Sequence, residues 1–383
     1  MSSSVAATAA PPYLSALEPV LTGVVAPAAA QVDRTGSFPQ ESIDALGQAG
    51  LLGLVSSPDV GGMGAGVRAA ADVVGRLAEA CGSTAMVVLM HYTAVAVIEA
   101  YGPREVREEI AAGRYLTTLA FSEPGSRSHF WAPSSTATQD GHGHVRLDAR
   151  KGWVTAAGHV AGYVWSSLPL AAEGTCSLWL VPADAGGLSV TAPFEGLGLR
   201  GNASSPMSAE GVLVDPTAML GPDGGGFDVM LGSVLPHFQI MSAAFSVGTM
   251  AAATSEAAAH AAGTRLEHMG QALAELPTVR AYVARMRIMT DAAQALMADT
   301  VAAVEGGRPD TMLRLLEVKA AAGEAATAVT DLAMRVCGGA AFRREVGVER
   351  RFRDARAATV MSPTTDMLYD FIGRAVCGLP LFG

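Results

Sequence analysis

Charge is scarce in this sequence. Only 16% of its 383 residues are Asp, Glu, Lys or Arg, and 36 acidic residues outnumber 26 basic ones. Nucleic-acid binding leans on clustered Lys and Arg, and a net charge of −10 gives it no support. The one basic cluster, Arg343, Arg344, Arg350, Arg351 and Arg353, is interleaved with Glu345, Glu349 and Asp354. It reads as a salt-bridged turn and helix start. Cysteine is sparse too. Cys81, Cys176, Cys337 and Cys377 stand far apart with no CxxC pair. That excludes the usual zinc and dithiol patterns and leaves buried free thiols as the expectation. No basic residue precedes Arg34, so the start lacks the basic region of a signal peptide and a cytoplasmic protein is expected. A long apolar run is missing as well. The best candidate, Met241 to Ala253, is short and made mostly of Ala, Ser and Gly, so no membrane span is expected.

What is present is apolar surface. Half the residues are hydrophobic and the mean hydropathy is +0.31. Monomers rarely expose large apolar patches, so burial against copies of the same chain is expected, as a homotetramer or homodimer.

The texture changes twice along the chain. From Tyr13 to about Gly113 it is helical. Pro39 and Gly50 punctuate a helix over 41–50. Further helices are expected over 68–81 and 84–101, the last stopped by Gly102-Pro103. From Tyr115 to about Val214 the runs are short and β-rich, at 116–121, 145–148, 162–167 and 177–181. After Gly224-Gly-Gly-Phe227, Ala-rich stretches at 241–262, 280–305, 311–337 and 364–377 read as four packed helices. The expectation is an α+β chain with a helical domain over 1–114, a small β-barrel or sandwich over 115–225, and a C-terminal four-helix bundle over 226–383.

Several segments, taken in order, carry a resemblance. They are FPQESIDALGQAGLLGLVSSPDVGGMGAG (38–66), LAFSEPGSRS (119–128), KGWVTAAGHV (151–160), GLGLRGNASS (196–205), VDPTAMLGPDGGGF (214–227) and CGGAAFRREVGVERRFRDARA (337–357). Together the chain resembles the acyl-CoA dehydrogenase superfamily over nearly its whole length. The resemblance implies a flavin, FAD with FMN as the alternative, held between the β domain and the bundle. It implies that Phe121 and Ser122 touch the isoalloxazine ring, that Trp153 packs on it and that Thr155 donates toward N5. Ser128 would reach the pyrophosphate, and Gly338, Gly339 and Thr364 would complete the flavin contacts. Donors near N5 stabilise the charge of reduction, and an indole face suits a flat heteroaromatic ring.

The sequence departs from the family at the base. In most members a Glu follows the RDA segment, within Glu-Gly-Thr, and takes the substrate's α-proton. Here Ser362-Pro363-Thr364 stands there, and a hydroxyl without a partner is a poor base. A second family position for the base corresponds to Pro236-His237-Phe238, again without a carboxylate. His237 and His91 are the candidate substitutes, because a neutral imidazole is a competent acid or base near pH 7. The family's Arg-x-x-Phe-Gly clamp on a neighbour's FAD reads Arg265-Leu-Glu-His-Met-Gly270 here, with Arg265 one place early and Met269 for Phe.

Three functions are compatible with these residues. The first is oxidation of an acyl thioester, or a related small molecule, with a substitute base. The second is monooxygenation with O2 and reduced flavin from a partner reductase. The third is a subunit of a mixed tetramer whose partner supplies the base. An electron-transfer partner belongs with the first.

Overall fold

The computed structural model describes residues 11–126 and 129–381. Ser128 therefore lies outside the described residues.

Helices come first. α1 (Pro12–Val20) passes through a π-turn, Leu21–Val25, into α2 (Ala26–Thr35). Gly36 stops α2 with φ 69°, a left-handed cap that glycine adopts without strain. α3 (Gln40–Gln48), α4 (Val67–Ala80), α5 (Gly82–Tyr101) and α6 (Arg104–Ala111) follow. Every residue of α5 from Gly82 to Val95 is buried. A helix apolar on all sides belongs at the centre of a fold, and α5 sits there.

Seven strands form the middle region. They are β1 (Thr117–Ala120), β2 (Thr136–Gln139), β3 (Val145–Val154), β4 (Gly162–Ser167), β5 (Ser177–Pro182), β6 (Leu188–Val190) and β7 (Ser205–Val214). One sheet has the order β1-β4-β5, with β1 parallel to β4; the other is antiparallel in the order β2-β3-β7-β6. β4 is buried throughout and β5 up to its final Pro182, as expected for strands covered on both faces. Trp165 and Trp179 face each other across them, fully buried.

The chain then returns to helix. α7 (Gly226–Val229) and a π-turn lead into α8 (Leu235–Gly263). A small hairpin follows, β8 (Arg265–Leu266) with β9 (Gln271–Ala272). The bundle is completed by α9 (Pro277–Gly306), α10 (Thr311–Cys337), α11 (Val348–Ala355), α12 (Ala357–Val360) and α13 (Thr365–Val376). The expected helix–β–helix order is the one observed.

α4 and α8 touch backbone to backbone. A Cβ on Gly248 would stand 2.1 Å from the carbonyl oxygen of Gly75, and one on Gly75 would meet that of Ala244 at 3.5 Å. Only glycine at 248 permits this approach.

One sequence expectation needs correction. Three helical stretches, 12–35, 82–101 and 226–263, are long and apolar enough to cross a membrane by length and composition. Ser, Thr and Gly interrupt each of them, so none forms an unbroken apolar run. In the second and third, 83% and 72% of the apolar window is buried inside the fold; in the first the figure is 28%.

The Arg-rich segment ties the three regions together. Arg353 makes a bidentate pair with Asp33 at 2.7 and 2.8 Å, and its Nε donates to Glu349. Arg351, buried, donates to the carbonyls of Ala78 and Glu79 and to Glu256. Asp354, also buried, accepts from the Leu199 amide at 2.6 Å. These bonds join α2, α4 and the 197–199 loop to α11.

Asp354 generates a pH prediction. Burial pushes its carboxyl up to about 6, against the Leu199 amide and the two arginines. A folded-state pKa above the unfolded value means that stability present at low pH is lost as pH rises through about 6. Asp354→Asn cannot titrate. Its stability relative to wild type should rise between pH 4 and 7, by up to about 3 kcal/mol for a shift of roughly two units. Thermal melts of both proteins at the two pH values check this; parallel curves would contradict it.

Candidate active site

The β-domain half of the site rests on a buried ion pair. Lys151 lies in β3, in the inward register of Val145 and Leu147, with its side chain fully enclosed. Its Nζ donates to Glu123 at 2.6 Å, to the Ser166 carbonyl at 2.7 Å and to Ser166 Oγ at 3.0 Å. Glu123 also accepts from the backbone and hydroxyl groups of Ser134 and Ser135. Burial works to raise the Glu123 carboxyl, but Lys151 and the serine donors outweigh it and hold it below its ordinary value. Burial pushes Lys151 down to about 8, against the pull of Glu123. Both groups are charged at pH 7, and every strong acceptor has a donor.

This network fixes the residues that the resemblance assigns to a flavin. Ser122 precedes Glu123, and its carbonyl accepts from the Gly152 amide at 2.9 Å. Phe121 is buried beneath. Beyond Lys151 the β3–β7 register slips before Val154. In that bulge Trp153 takes φ 58°, a left-handed backbone unfavourable for a non-glycine residue, and its side chain is 74% exposed. A large aromatic held exposed on a strained backbone is not part of the core. Thr155 is buried and its Oγ1 lies 3.2 Å from Ser204 Oγ.

The second half of the site is in the bundle. Ser362 lies in the 361–364 loop between α12 and α13, half-buried. Thr364 caps α13, its side chain accepting from the Met367 amide at 3.4 Å. Pro363 shares a small apolar cleft with Leu231 in the π-turn before α8, with Leu235 at the start of α8, and with Phe130 and Trp131 from the β1–β2 connection. His237 stands half a turn beyond Leu235. Its Nδ1 lies 2.8 Å from the Ser233 carbonyl, so Nδ1 carries the proton and Nε2 presents a lone pair. Burial holds the imidazole below its ordinary pKa, hence neutral at pH 7.

Other expected residues are placed elsewhere. His91 is a correction: it is fully buried, with Nε2 2.9 Å from the Leu52 carbonyl and Nδ1 accepting from the Thr117 amide at 3.2 Å. Both ring nitrogens are spent, and burial pushes its pKa down to about 4. His91 is a structural pin between α5, the 51–52 turn and β1. Arg265 sits on the exposed β8–β9 hairpin, where its Nη2 donates to the Gly270 carbonyl; it does not meet the Trp153 platform within one chain. Gly338 and Gly339 end α10 in the open. Gly338 has φ 56°, and no atom lies within 4 Å of where a Cβ on either would stand.

The sequence reading missed Glu123, Lys151 and Lys319. The period-two alternation of β3 carries the signal for Lys151, which falls on the inward side. It also missed Gln239, which is 0% exposed and has no hydrogen-bond partner on either amide atom.

Comparison with known proteins agrees with this arrangement. The acyl-CoA dehydrogenase N-terminal, middle and C-terminal domains match residues 15–115, 118–212 and 224–377. That order of domains defines a class of flavin-dependent oxidoreductases. The chain belongs to the acyl-CoA dehydrogenase superfamily. The probable acyl-CoA dehydrogenase YngJ of Bacillus subtilis (strain 168) is 27% identical over 362 residues, which are 91% of this chain and 93% of that one. The human mitochondrial short-chain specific acyl-CoA dehydrogenase is 27% identical over 89% of this chain and 83% of its own. Among solved structures, butyryl-CoA dehydrogenase from Megasphaera elsdenii superposes with a TM-score of 0.89 at 21% identity, over 97% and 99% of the two chains.

Family members bind FAD, and the residues here fit it. An exposed indole held in a strained bulge, with the Ser122 and Thr155 hydroxyls close by in the chain, suits a flat ring with polar edges. Trp153→Gly tests the fit. The flavin-free variant should melt no lower than wild type, because glycine relieves the left-handed strain and little buried area is lost. Its FAD affinity, read by fluorescence titration, should nevertheless fall by about five- to tenfold, as expected for a lost aromatic contact of roughly 1–1.5 kcal/mol. Equal FAD affinity would remove Trp153 from the platform.

Proposed function

We propose that this protein oxidises an acyl thioester through bound FAD, with His237 in place of the carboxylate base. One observation carries the reading. The His237 ring is neutral and its Nε2 is unpaired among the described residues, next in the chain to Phe238, whose ring faces the Lys319 ammonium that holds the Ser362 loop. The resemblance puts Ser362 where most members hold their Glu.

Phe121, Ser122, Trp153 and Thr155 would hold and orient the ring. When bound, FAD supplies a two-electron acceptor. The chain's own residues handle the proton. The α-proton of the thioester passes to Nε2 of His237, while Nδ1 stays bonded to the Ser233 carbonyl and fixes the tautomer. The hydride leaves the β-carbon, and the product is the α,β-unsaturated thioester. An electron-transfer partner would reoxidise the enzyme. Exposed apolar side chains such as Ile288 and Phe342 support self-association, as the homotetramer or homodimer expected from composition.

The test is anaerobic. FAD-loaded protein is mixed with a panel of acyl-CoAs, and the flavin band near about 450 nm is followed. At least one acyl-CoA should bleach it. His237→Ala should slow the bleaching by about 10²–10⁴, the usual cost of a lost general base, with FAD content unchanged. Failure of every acyl-CoA to bleach loaded protein would overturn the reading. O2 consumption by the reduced protein would then favour the monooxygenase.

A further inference from the structure

Lys319 is the only lysine or arginine among the described residues of α10 to be fully enclosed, and it has no acidic partner there. An unpaired cation in a protein interior is costly unless its protons are matched to acceptors. Here they are matched to backbone. Nζ donates to the carbonyls of Ala358 at 3.2 Å, Met361 at 3.0 Å and Pro363 at 2.7 Å. An ammonium has three N–H donors and no acceptor, so three carbonyls saturate it.

The carbonyls are not scattered. Ala358 lies in α12, a helix whose last carbonyls have no partner within it. Met361 and Pro363 bracket Ser362 on either side. Gly323, one turn along α10, lets the same segment lie close: a Cβ there would contact Ala358 at 3.5 Å. Nζ also lies 5.9 Å from the centre of the Phe238 ring, the residue after His237. One side chain therefore touches both the Ser362 loop and the start of α8.

We propose that Lys319 is a positioning residue for the reaction: it clamps the 358–363 segment so that Ser362 is presented at a fixed place relative to His237. Lys319 does not touch substrate. It acts through the backbone on both sides of Ser362 and through Phe238. The catalytic part of this role rests on the thioester-oxidising reading; the clamp itself does not. Burial pushes the Lys319 pKa down to about 7; the three partners are all acceptors, the arrangement that suits the ammonium form.

Lys319→Met keeps most of the apolar stem and removes all three donors. In flavin-free protein, amide hydrogen exchange across 357–364 should quicken by about tenfold or more, with exchange across β3 unchanged. In the FAD-loaded variant, flavin reduction at saturating acyl-CoA should slow by about tenfold or more while half-saturation moves less than about threefold, the pattern of a contact that matters in the transition state. Unchanged exchange would overturn the clamp. Faster exchange with an unchanged reduction rate would overturn the positioning role and leave a structural one. If wild type itself is not bleached by any acyl-CoA, the thioester reading fails, and the exchange result alone decides the clamp. Should the Met variant not fold, Lys319→Gln, which keeps two donors, takes its place in both measurements and should give intermediate values.

Discussion

The buried pair between Lys151 and Glu123 is the constraint on which the Trp153 face of the β domain depends. It sits inside a small β domain and joins segments that no strand pairing holds together. Glu123 gathers Ser134 and Ser135; Lys151 gathers Ser166. Four separated stretches of chain thus meet at two charges. Removing one partner would strand the other, at a cost of about 3–5 kcal/mol. The strained backbone at Trp153 can persist because it begins two residues from this anchor. A loose strand would relax to ordinary dihedrals and fold the indole inward. Local strain survives only where its surroundings over-determine it.

The bundle uses the same device with different acceptors. Lys319 is another enclosed ammonium, but backbone carbonyls replace the carboxylate. In both halves of the site an internal cation organises a segment that carries functional side chains. The difference follows from topology. β3 and the Ser122 segment come from separate strands, and an ion pair can join them. The 358–363 segment is a helix end followed by a loop, rich in carbonyls without partners, and a lone cation suits it.

Much of the fold was legible in the sequence. The Ala-rich stretch at 311–337 coincides with α10, and the β-rich runs at 145–148, 162–167 and 177–181 fall within β3, β4 and β5. Punctuation by Gly and Pro, together with periodicity, carries that information. The site was less legible. His91 looked like a chemical group because it interrupts an apolar helix. Its partner, the Leu52 carbonyl, lies 39 residues away, and no local pattern reveals such a bond. Lys319 was hidden for the opposite reason, since a lysine in a helix is ordinarily a solvated one. His237 was singled out because the resemblance puts a second base position at Pro236-His237-Phe238, but only the Ser233 carbonyl shows which ring nitrogen is free. Arg265, Gly338 and Gly339 sit in the open, where a single chain does not gather them with the Trp153 platform.

The backbone contact between α4 and α8 has a mechanical consequence. Where a glycine lets two helices approach until their main chains meet, neither can slip along the other without collision. The N-terminal helices and the bundle are therefore locked in register, and a shearing motion between them is denied to the molecule.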